Sequence, residues 1–577
     1  MNILIPFIAA FSALALGYRF YGRYIGRQMG EEEGRATPAK TKRDNRDFIP
    51  TKTHILFAHH FSTIAGAGPI IGPTLGILYG FAPAWAWVVL GSIFFGAVHD
   101  YSALFASLRE GGRSIGEIAG ISLGRVGMLL FLLFTLLMIF LVTSAFLSMT
   151  AISLTSMWPL DKLALEPGQT WLKTVMVDGQ PMGIIGGIAS TSVIIITAFA
   201  PLLGFLIYRK QIPVIWGYLI AAIICAGSIY VGFNFPVRLD PTAWMIIISI
   251  YVLFAAGAPV WIILQPRDFT NVQILYGGMA VLIVSILVGG FSGQTIDFPA
   301  FSLTAGAEHL GLIWPMLIIT IACGAISGFH SLVASGTSCK QVKSEPAARR
   351  VGYGGMILEG ALAILVLVTI ASGLKYNDYL ALVWPDQGAN PVLAFALAVG
   401  TTIHNSLGIP LTVGTIFGIL LIEGFVVTTL DSAVRLNRYL FEEFWGLLFK
   451  NVPVIMTKFW FNSGLSVVIM FLLAYFNAFR LIWPLFGSAN QLMAALALIA
   501  VSVWLYRRGR KNWFTLIPAI FMVITTIASL VYLLINTYIP SGKTILILAD
   551  LLLLGLSLGV IILSGRAIVH LRHPSTH

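Results

Sequence analysis

Apolar runs of about 20 residues, each long enough to cross the hydrocarbon core of a bilayer, recur along the chain between short polar loops. In order they predict about fifteen transmembrane helices, near residues 3–18, 54–82, 84–108, 126–150, 183–208, 213–232, 244–264, 273–291, 311–337, 352–373, 409–434, 461–480, 482–506, 513–537 and 544–566. The expected fold is an all-α polytopic membrane protein forming one integral body. Three intervals depart from the pattern. Glu31 to Arg46 is a mixed-charge stretch expected to be a flexible connector, and Trp158 to Pro181 is a long polar stretch expected to form a cap or part of the outer vestibule. Asn390 to Leu407 is too long for a turn and too polar at its end to cross, so it reads as a re-entrant or interfacial helix.

Composition strengthens this picture. Of 577 residues 58% are hydrophobic and only 10% charged, whereas soluble enzymes carry about 25% charge. The three cysteines, Cys225, Cys323 and Cys339, lie far apart with no CxxC or Cys/His ligand spacing, so neither a disulfide framework nor a zinc knuckle is expected. A net charge of +11 raises the question of nucleic acid. The loops answer it: with the N-terminus outside, roughly 29 of the 35 Lys and Arg fall on one side, which the positive-inside rule makes cytoplasmic. The expected topology is N-terminus out and C-terminus in, with no nucleic-acid partner. Span 3–18 lacks the basic n-region and small-residue cleavage site of a signal peptide and is expected to be retained.

Within span 54–82 the stretch from His59 to Pro69, HHFSTIAGAGP, places two histidines, two hydroxyls and a Gly-x-Gly-Pro break in what would be a helix of about 43 Å. The break is expected at Gly66, Gly68 and Pro69, because proline supplies no donor and glycine lets the backbone leave the helical ladder. Gly68, Gly72, Gly76 and Gly80 also recur every four residues, a stripe that close helix packing alone would explain. A second interrupted run, Gly324 to Gly336, lies seven spans later and therefore runs in the opposite direction. Without gaps, Phe61–Gly68 matches Phe329–Gly336 in residue class. Two Gly/Pro-interrupted spans in opposite orientations point to the midplane site of a secondary transporter. Backbone groups near Gly66, Gly68, Gly324 and Gly328, with Ser62, Thr63, His330 and Ser331, are the expected substrate contacts.

Ionisable groups inside spans are candidates for coupling, since each is costly unless partnered. Asp100 is the foremost candidate carboxylate. His99 and Asp100 point about 100° apart on a helix and are expected to find partners on other spans rather than to pair. His59, His60, His99 and His330 suit proton movement, or are histidines satisfied by a carbonyl. Glu359 and Glu423 are further coupling groups or plain acceptors. Asp431 stands four residues before Arg435, the spacing of a helical ion pair, or builds an ion site with Thr428 and Thr429. HExxH is absent and His59/His60 with His99/Asp100 lack ligand spacing, so neither a metal centre nor a cofactor is expected, and the protein is not read as an enzyme.

The segments HHFSTIAGAGPIIGP, GAVHDY, SGFHSLVASGTSCKQ, TTLDSAVRLNRYLFEEF and ANQLMAALAL together resemble the carbon starvation protein A (CstA) family of bacterial inner-membrane transporters, over roughly residues 1–510. The resemblance implies proton-coupled uptake of peptides or pyruvate. It also implies a core similar to the amino acid-polyamine-organocation (APC) superfamily, LeuT-like, with five-plus-five inverted repeats. Spans 54–82 and 311–337 would be its first and sixth helices and 409–434 its eighth, although the first half holds seven spans where five are expected. On this reading residues 1–53 are an N-terminal helix and cytoplasmic loop, 54–506 the transport core and 507–577 accessory helices. The expected partners are a small-molecule substrate, protons and the lipid bilayer. A sodium ion held by Ala65, Thr428 and Thr429 stays open, as do a passive facilitator for small carboxylates and a nutrient-sensing membrane protein.

Overall fold

A computed structural model describes the chain except for residues 45–47, 164, 166–171, 260–261, 386–388, 478 and 573–577. Among the described residues, twelve helices are long and apolar enough to cross a membrane. In chain order the helices that build the fold are α1 (Leu4–Met29), α2 (Thr53–Ile64), α3 (Gly68–Tyr79), α4 (Phe81–Arg109), α5 (Ile115–Leu154), α6 (Ile185–Ile207), α7 (Ile215–Asn234), α8 (Pro241–Gly257) and α9 (Leu264–Phe291). They continue with α10 (Ile313–Thr320), α11 (Phe329–Gly336), α12 (Glu345–Gly373), α13 (Pro391–Leu407), α14 (Leu411–Leu448), α15 (Phe459–Phe476), α16 (Leu481–Arg507), α17 (Trp513–Ser541) and α18 (Thr544–Leu563). The expected fifteen spans thus resolve into twelve continuous ones. The other three are the bent pair α2/α3, the 17-residue α8 and the discontinuous pair α10/α11.

Local sequence sets several of these boundaries. Ser114 and Glu117 form a reciprocal capping box, Glu117 N to Ser114 Oγ at 3.2 Å and Ser114 N to Glu117 Oε2 at 2.8 Å, which starts α5. Asp240 and Asn390 each precede a proline and accept an amide, Ala243 N at 2.9 Å and Leu393 N at 3.0 Å, at the starts of α8 and α13. Gly124, at φ 80°, kinks the 40-residue α5.

The polar stretch after α5 departs from an all-α fold. It holds a small antiparallel sheet of β1 (Trp158–Pro159), β2 (Thr174–Val177) and β3 (Gln180–Gly183), in the order β1-β3-β2. Asp178 and Gly179 join β2 to β3 with φ of 47° and 80°, the two positive values that a two-residue hairpin of matching twist requires. The Glu31–Arg46 connector is also more tied down than its composition suggests. Glu31 pairs with Arg349 at 2.9 Å, the Glu32 amide donates to Glu345 at 2.7 Å, and Arg109 grips both Glu345 at 2.6 Å and the Gly30 carbonyl at 2.7 Å.

Helices α12 and α16 are buried along almost their whole length, whereas α7 exposes Ile215, Trp216, Ile223 and Tyr230, as a surface bathed in lipid would. α2, α3, α4, α11, α12 and α16 meet at the centre of the bundle. Both interrupted segments lie there.

Candidate functional site

The first interruption falls where glycine and proline predicted it. α2 ends at Ile64, α3 begins at Gly68, and the two axes differ by 46°. Pro69 sits in the first turn of α3, where a missing donor costs nothing, and the Gly66 amide turns back to the Ile64 carbonyl at 2.8 Å. The second interruption runs over residues 321–328 between α10 and α11, with Gly324 at φ 87°, a conformation that disfavours any side chain.

The two breaks cross each other. A side chain at Gly68 would run into Cys323, one at Gly72 would lie 3.0 Å from the Thr320 carbonyl, and one at Gly76 would strike Ile321. Gly68, Gly72 and Gly76 are thus a packing surface for α10 and the chain beyond it, with Gly68 also starting the helix after the break, while Gly80 lies against Ala300 and Phe301. The gapless match of Phe61–Gly68 with Phe329–Gly336 does not hold as a structural equivalence. It sets the non-helical turn around Ala65–Ala67 against Val333–Ser335, which are helical, and the second break precedes the matched segment.

Side chains from three helices satisfy the backbone of the second break. Glu359 on α12 accepts the Gly324 amide at 3.2 Å; on α4, Ser92 donates to the Gly324 carbonyl at 2.7 Å and Trp87 to the Ile321 carbonyl at 3.1 Å. From α16, the Asn490 carbonyl accepts the Gly328 amide at 3.0 Å, its side chain accepts the Phe329 amide at 3.0 Å, and Gln491 donates to the Ile318 carbonyl. The amides of Gly66, Gly324 and Gly328 are therefore already engaged within the protein. The hydroxyl protons of Ser62, Thr63 and Ser331 are also committed, to His59 O at 3.0 and 2.8 Å and Gly328 O at 2.7 Å, so what these groups still offer is an acceptor oxygen.

A chain of buried ionisable groups runs beside the crossing. His99 Nδ1 meets Asp100 Oδ1 at 2.8 Å, so these neighbours do pair, against the expectation from helical angle. The other carboxylate oxygen lies 2.8 Å from His330 Nδ1 on α11, and His330 Nε2 faces Glu359 Oε2 at 3.3 Å. All four side chains are at most 1% exposed. The chain thus connects α4, α11 and α12 and ends on the amide of the Gly324 break. His60 stands apart from it, bonded to Ser338 at 2.8 Å, and His59 contributes its carbonyl to the Ser62 and Thr63 hydroxyls. Glu423 lies on α14, but its side chain is outside the described residues.

Asp431 belongs to a second buried cluster, and its partner is not Arg435. Arg267 on α9 donates through Nη1 to Asp431 Oδ2 at 2.7 Å and to the Tyr251 hydroxyl at 2.6 Å, while that hydroxyl donates to Asp431 at 2.8 Å. Arg435 turns instead to the carbonyls of Ala255 and Ala258. Asn271 donates to Thr428 at 3.1 Å, and Thr428 also bonds the buried Asp268. One position on, the Thr429 hydroxyl lies beside Gly66, so α14 touches the first break through the residue proposed to line an ion site.

Several of these partners lie outside the expected set. Arg267 and Asp268 sit between spans 244–264 and 273–291 and read as loop charges, though the structure buries both inside α9. Asn490 and Gln491 interrupt an apolar span and were legible as polar residues there. Ser92 and Trp87 carry no distinguishing sequence signal.

Comparison with known proteins bears on what this arrangement serves. The family described as Carbon starvation protein CstA matches residues 2–388 and 384–529. A protein named Peptide transporter CstA from Bacillus subtilis is 30% identical over 93% of this chain and 92% of its own length, and one of the same name from Campylobacter jejuni is 30% identical over 90% and 78%. The Pyruvate/proton symporter BtsT of Escherichia coli is 27% identical over 90% of this chain and 80% of its own. Among solved structures, a manganese transporter of Eremococcus coleocola aligns over 92% of this chain and 99% of its own, with 10% identity and a TM-score of 0.49.

Proposed function

The chain belongs to the carbon starvation protein CstA family, and from that premise we propose that it is a secondary active transporter importing peptides or pyruvate together with protons. It is a multi-span membrane protein of transporter ancestry rather than an enzyme. Its bacterial transporter relatives favour a bacterial inner membrane, and its basic loops favour an N-terminus outside.

The observation that carries the reading is the buried chain His99–Asp100–His330–Glu359 ending on the interrupted backbone at Gly324. Four ionisable groups held away from water are costly unless they exchange charge with one another. Their sequence of carboxylate, imidazole and carboxylate can pass one proton between α4 and α12 through His330. Because Glu359 holds the Gly324 amide, a proton arriving at Glu359 weakens that bond and changes how the break is held. That is the differential interaction between two states that coupling requires. The substrate carboxylate then binds at the crossing by displacing an internal partner of Gly66, Gly324 or Gly328, with Ser62, Thr63 and Ser331 beside it. Thr428, Thr429 and Asp431 are the residues through which α14 reports to the first break, with His59 and His60 on α2 beside it and Glu423 a further coupling candidate. Residues 54–506 form the transport core.

The experiment is uptake of labelled pyruvate, and separately of a labelled dipeptide, into proteoliposomes holding the purified protein. An inward proton gradient is expected to drive accumulation that a protonophore abolishes and that sodium does not replace. Uptake of both substrates that only equilibrates would overturn the proton-coupled reading in favour of a facilitator.

A further inference from the structure

We propose that Cys323, His330 and Glu359 form a binding site for a divalent cation of the zinc class, with a fourth coordination position left open. The sequence reading expected no metal, since these residues have no ligand spacing along the chain; the fold assembles them from the second break, α11 and α12. One donor atom from each, Sγ, a ring nitrogen and a carboxylate oxygen, lies within 4.8 Å of the others, and all three residues are buried.

The separation of His330 Nε2 from Glu359 Oε2 is 3.3 Å. Two ligands sharing a tetrahedral ion at zinc distances stand about 3.3 Å apart. Both atoms are buried and lack a hydrogen-bond partner of good geometry, although the Ile64 carbonyl also faces the His330 ring. His330 and Glu359 each have their remaining polar atom held from outside, and Cys323 Sγ, itself the donor, has contacts of its own. His330 Nδ1 meets Asp100 at 2.8 Å, Glu359 Oε1 accepts the Gly324 amide at 3.2 Å, and Cys323 Sγ lies 3.6 Å from the Asn490 amide nitrogen and 3.5 Å from the Ser327 hydroxyl. A carboxylate behind the imidazole and hydrogen bonds behind the other ligands are what orients metal ligands and fixes the histidine tautomer.

The donor set selects the ion. Thiolate with imidazole and one carboxylate suits zinc and its neighbours, and disfavours magnesium and calcium, which take oxygen cages. Binding releases the thiol proton, and Cys323 closes on the ion by turning its side chain. A dication also offsets the two carboxylates, Asp100 and Glu359, that flank one imidazole in this buried place. The lone pair of His330 Nε2 serves either a proton shared with Glu359 or the cation, not both. Zinc at this site therefore pins the second break to α12 and interrupts the proposed proton path, so it is expected to stop transport. That last consequence rests on the transport reading; the binding site does not.

The test is a cobalt(II) titration of the purified full-length protein in detergent, with cobalt as the spectroscopic stand-in for zinc. The wild type is expected to develop a near-ultraviolet thiolate-to-metal charge-transfer band and intense visible bands of tetrahedral cobalt, saturating at one ion per chain and erased by zinc. Cys323→Ser removes the charge-transfer band, whereas Cys225→Ser and Cys339→Ser keep it. No such band in the wild type, or a band that survives Cys323→Ser, overturns the site. Should Cys323→Ser not fold, zinc-edge X-ray absorption on the wild type decides: one sulfur with nitrogen and oxygen neighbours supports the site, and a shell without sulfur overturns it. In proteoliposomes, zinc is expected to inhibit wild-type uptake at a concentration at least about tenfold lower than it needs for Cys323→Ser. A protein that gives the cobalt band yet moves neither substrate fails the transport reading and leaves the metal site standing.

Discussion

Asp100→Asn strikes the proton chain at its centre while hardly changing its shape. In the wild type one carboxylate oxygen faces His99 and the other His330, both at 2.8 Å. The amide keeps one acceptor and turns the other into a donor, so one histidine loses its partner or must change tautomer, His99 loses its anion, and Glu359 is left as the one carboxylate beside a His330 imidazolium. A hydrogen bond to a charged group is worth about 1.5–3 kcal/mol. Loss of one in the proton-loaded state therefore slows proton-driven uptake by roughly 10- to 150-fold. The accumulation ratio is the sharper readout. With the membrane potential clamped at zero and one proton carried per substrate, a gradient of one pH unit supplies about 1.4 kcal/mol, enough for about tenfold accumulation. The wild type is expected to reach that ratio in proteoliposomes and Asp100→Asn to stop near equality. Exchange of labelled for unlabelled substrate at equal pH needs no net proton transfer and should persist in the variant. An Asp100→Asn protein that still accumulates about tenfold per pH unit would refute the role assigned to the carboxylate.

Arg267→Met leaves Asp431 buried without its cation and is expected to cost about 3–5 kcal/mol of stability, while Arg267→Met with Asp431→Asn recovers at least half of that; unfolding in detergent measures both, and strictly additive losses would refute the pairing. Asn490→Ala strips the Phe329 amide of its acceptor at the second break, an expected loss of about 1–3 kcal/mol read as a fall in melting temperature. Gly328→Ala drives a methyl group into the backbone of Asn490 and is expected to destabilise by about 1–3 kcal/mol. Gly336→Ala, whose nearest neighbour would be Leu436 at 3.7 Å, should stay within about 0.5 kcal/mol of the wild type by the same melting assay.

What the sequence disclosed and what it withheld follow from the range of the signal. Helix periodicity and length are local, so the long spans and the break at Ala65–Ala67 were legible, as Gly66, Gly68 and Pro69 act on their own backbone. The asparagine and aspartate caps before Pro391 and Pro241 are equally local. Partnership is not local. Asp431 sits four residues from Arg435, yet helix packing delivers Arg267, 164 positions away in the chain, and a buried fork aimed at the carboxylate prevails over a neighbour that carbonyls can satisfy. Angular reasoning failed for His99 and Asp100 because adjacent side chains long enough to bend toward each other need not share a helix face. The likeness of Phe61–Gly68 to Phe329–Gly336 reflected common composition, since small and polar residues serve both a break and a tightly packed helix.

The second break is fastened to its surroundings at Ile318, Ile321, Gly324, Gly328 and Phe329 by side chains and backbone of α4, α12 and α16. Detaching it during a transport cycle would sacrifice each of these bonds, at about 1 kcal/mol apiece, with nothing to replace them in a dry interior. Mechanically, then, the severed helix is a joint with one local release: a proton at Glu359 or an arriving substrate exchanges a single partner, while the remaining bonds keep α10, α11 and the three helices that hold them turning as one block, so the large-scale compliance of the molecule lies at that block's margins. Spin labels placed within the block should keep one fixed separation whichever way the transporter faces.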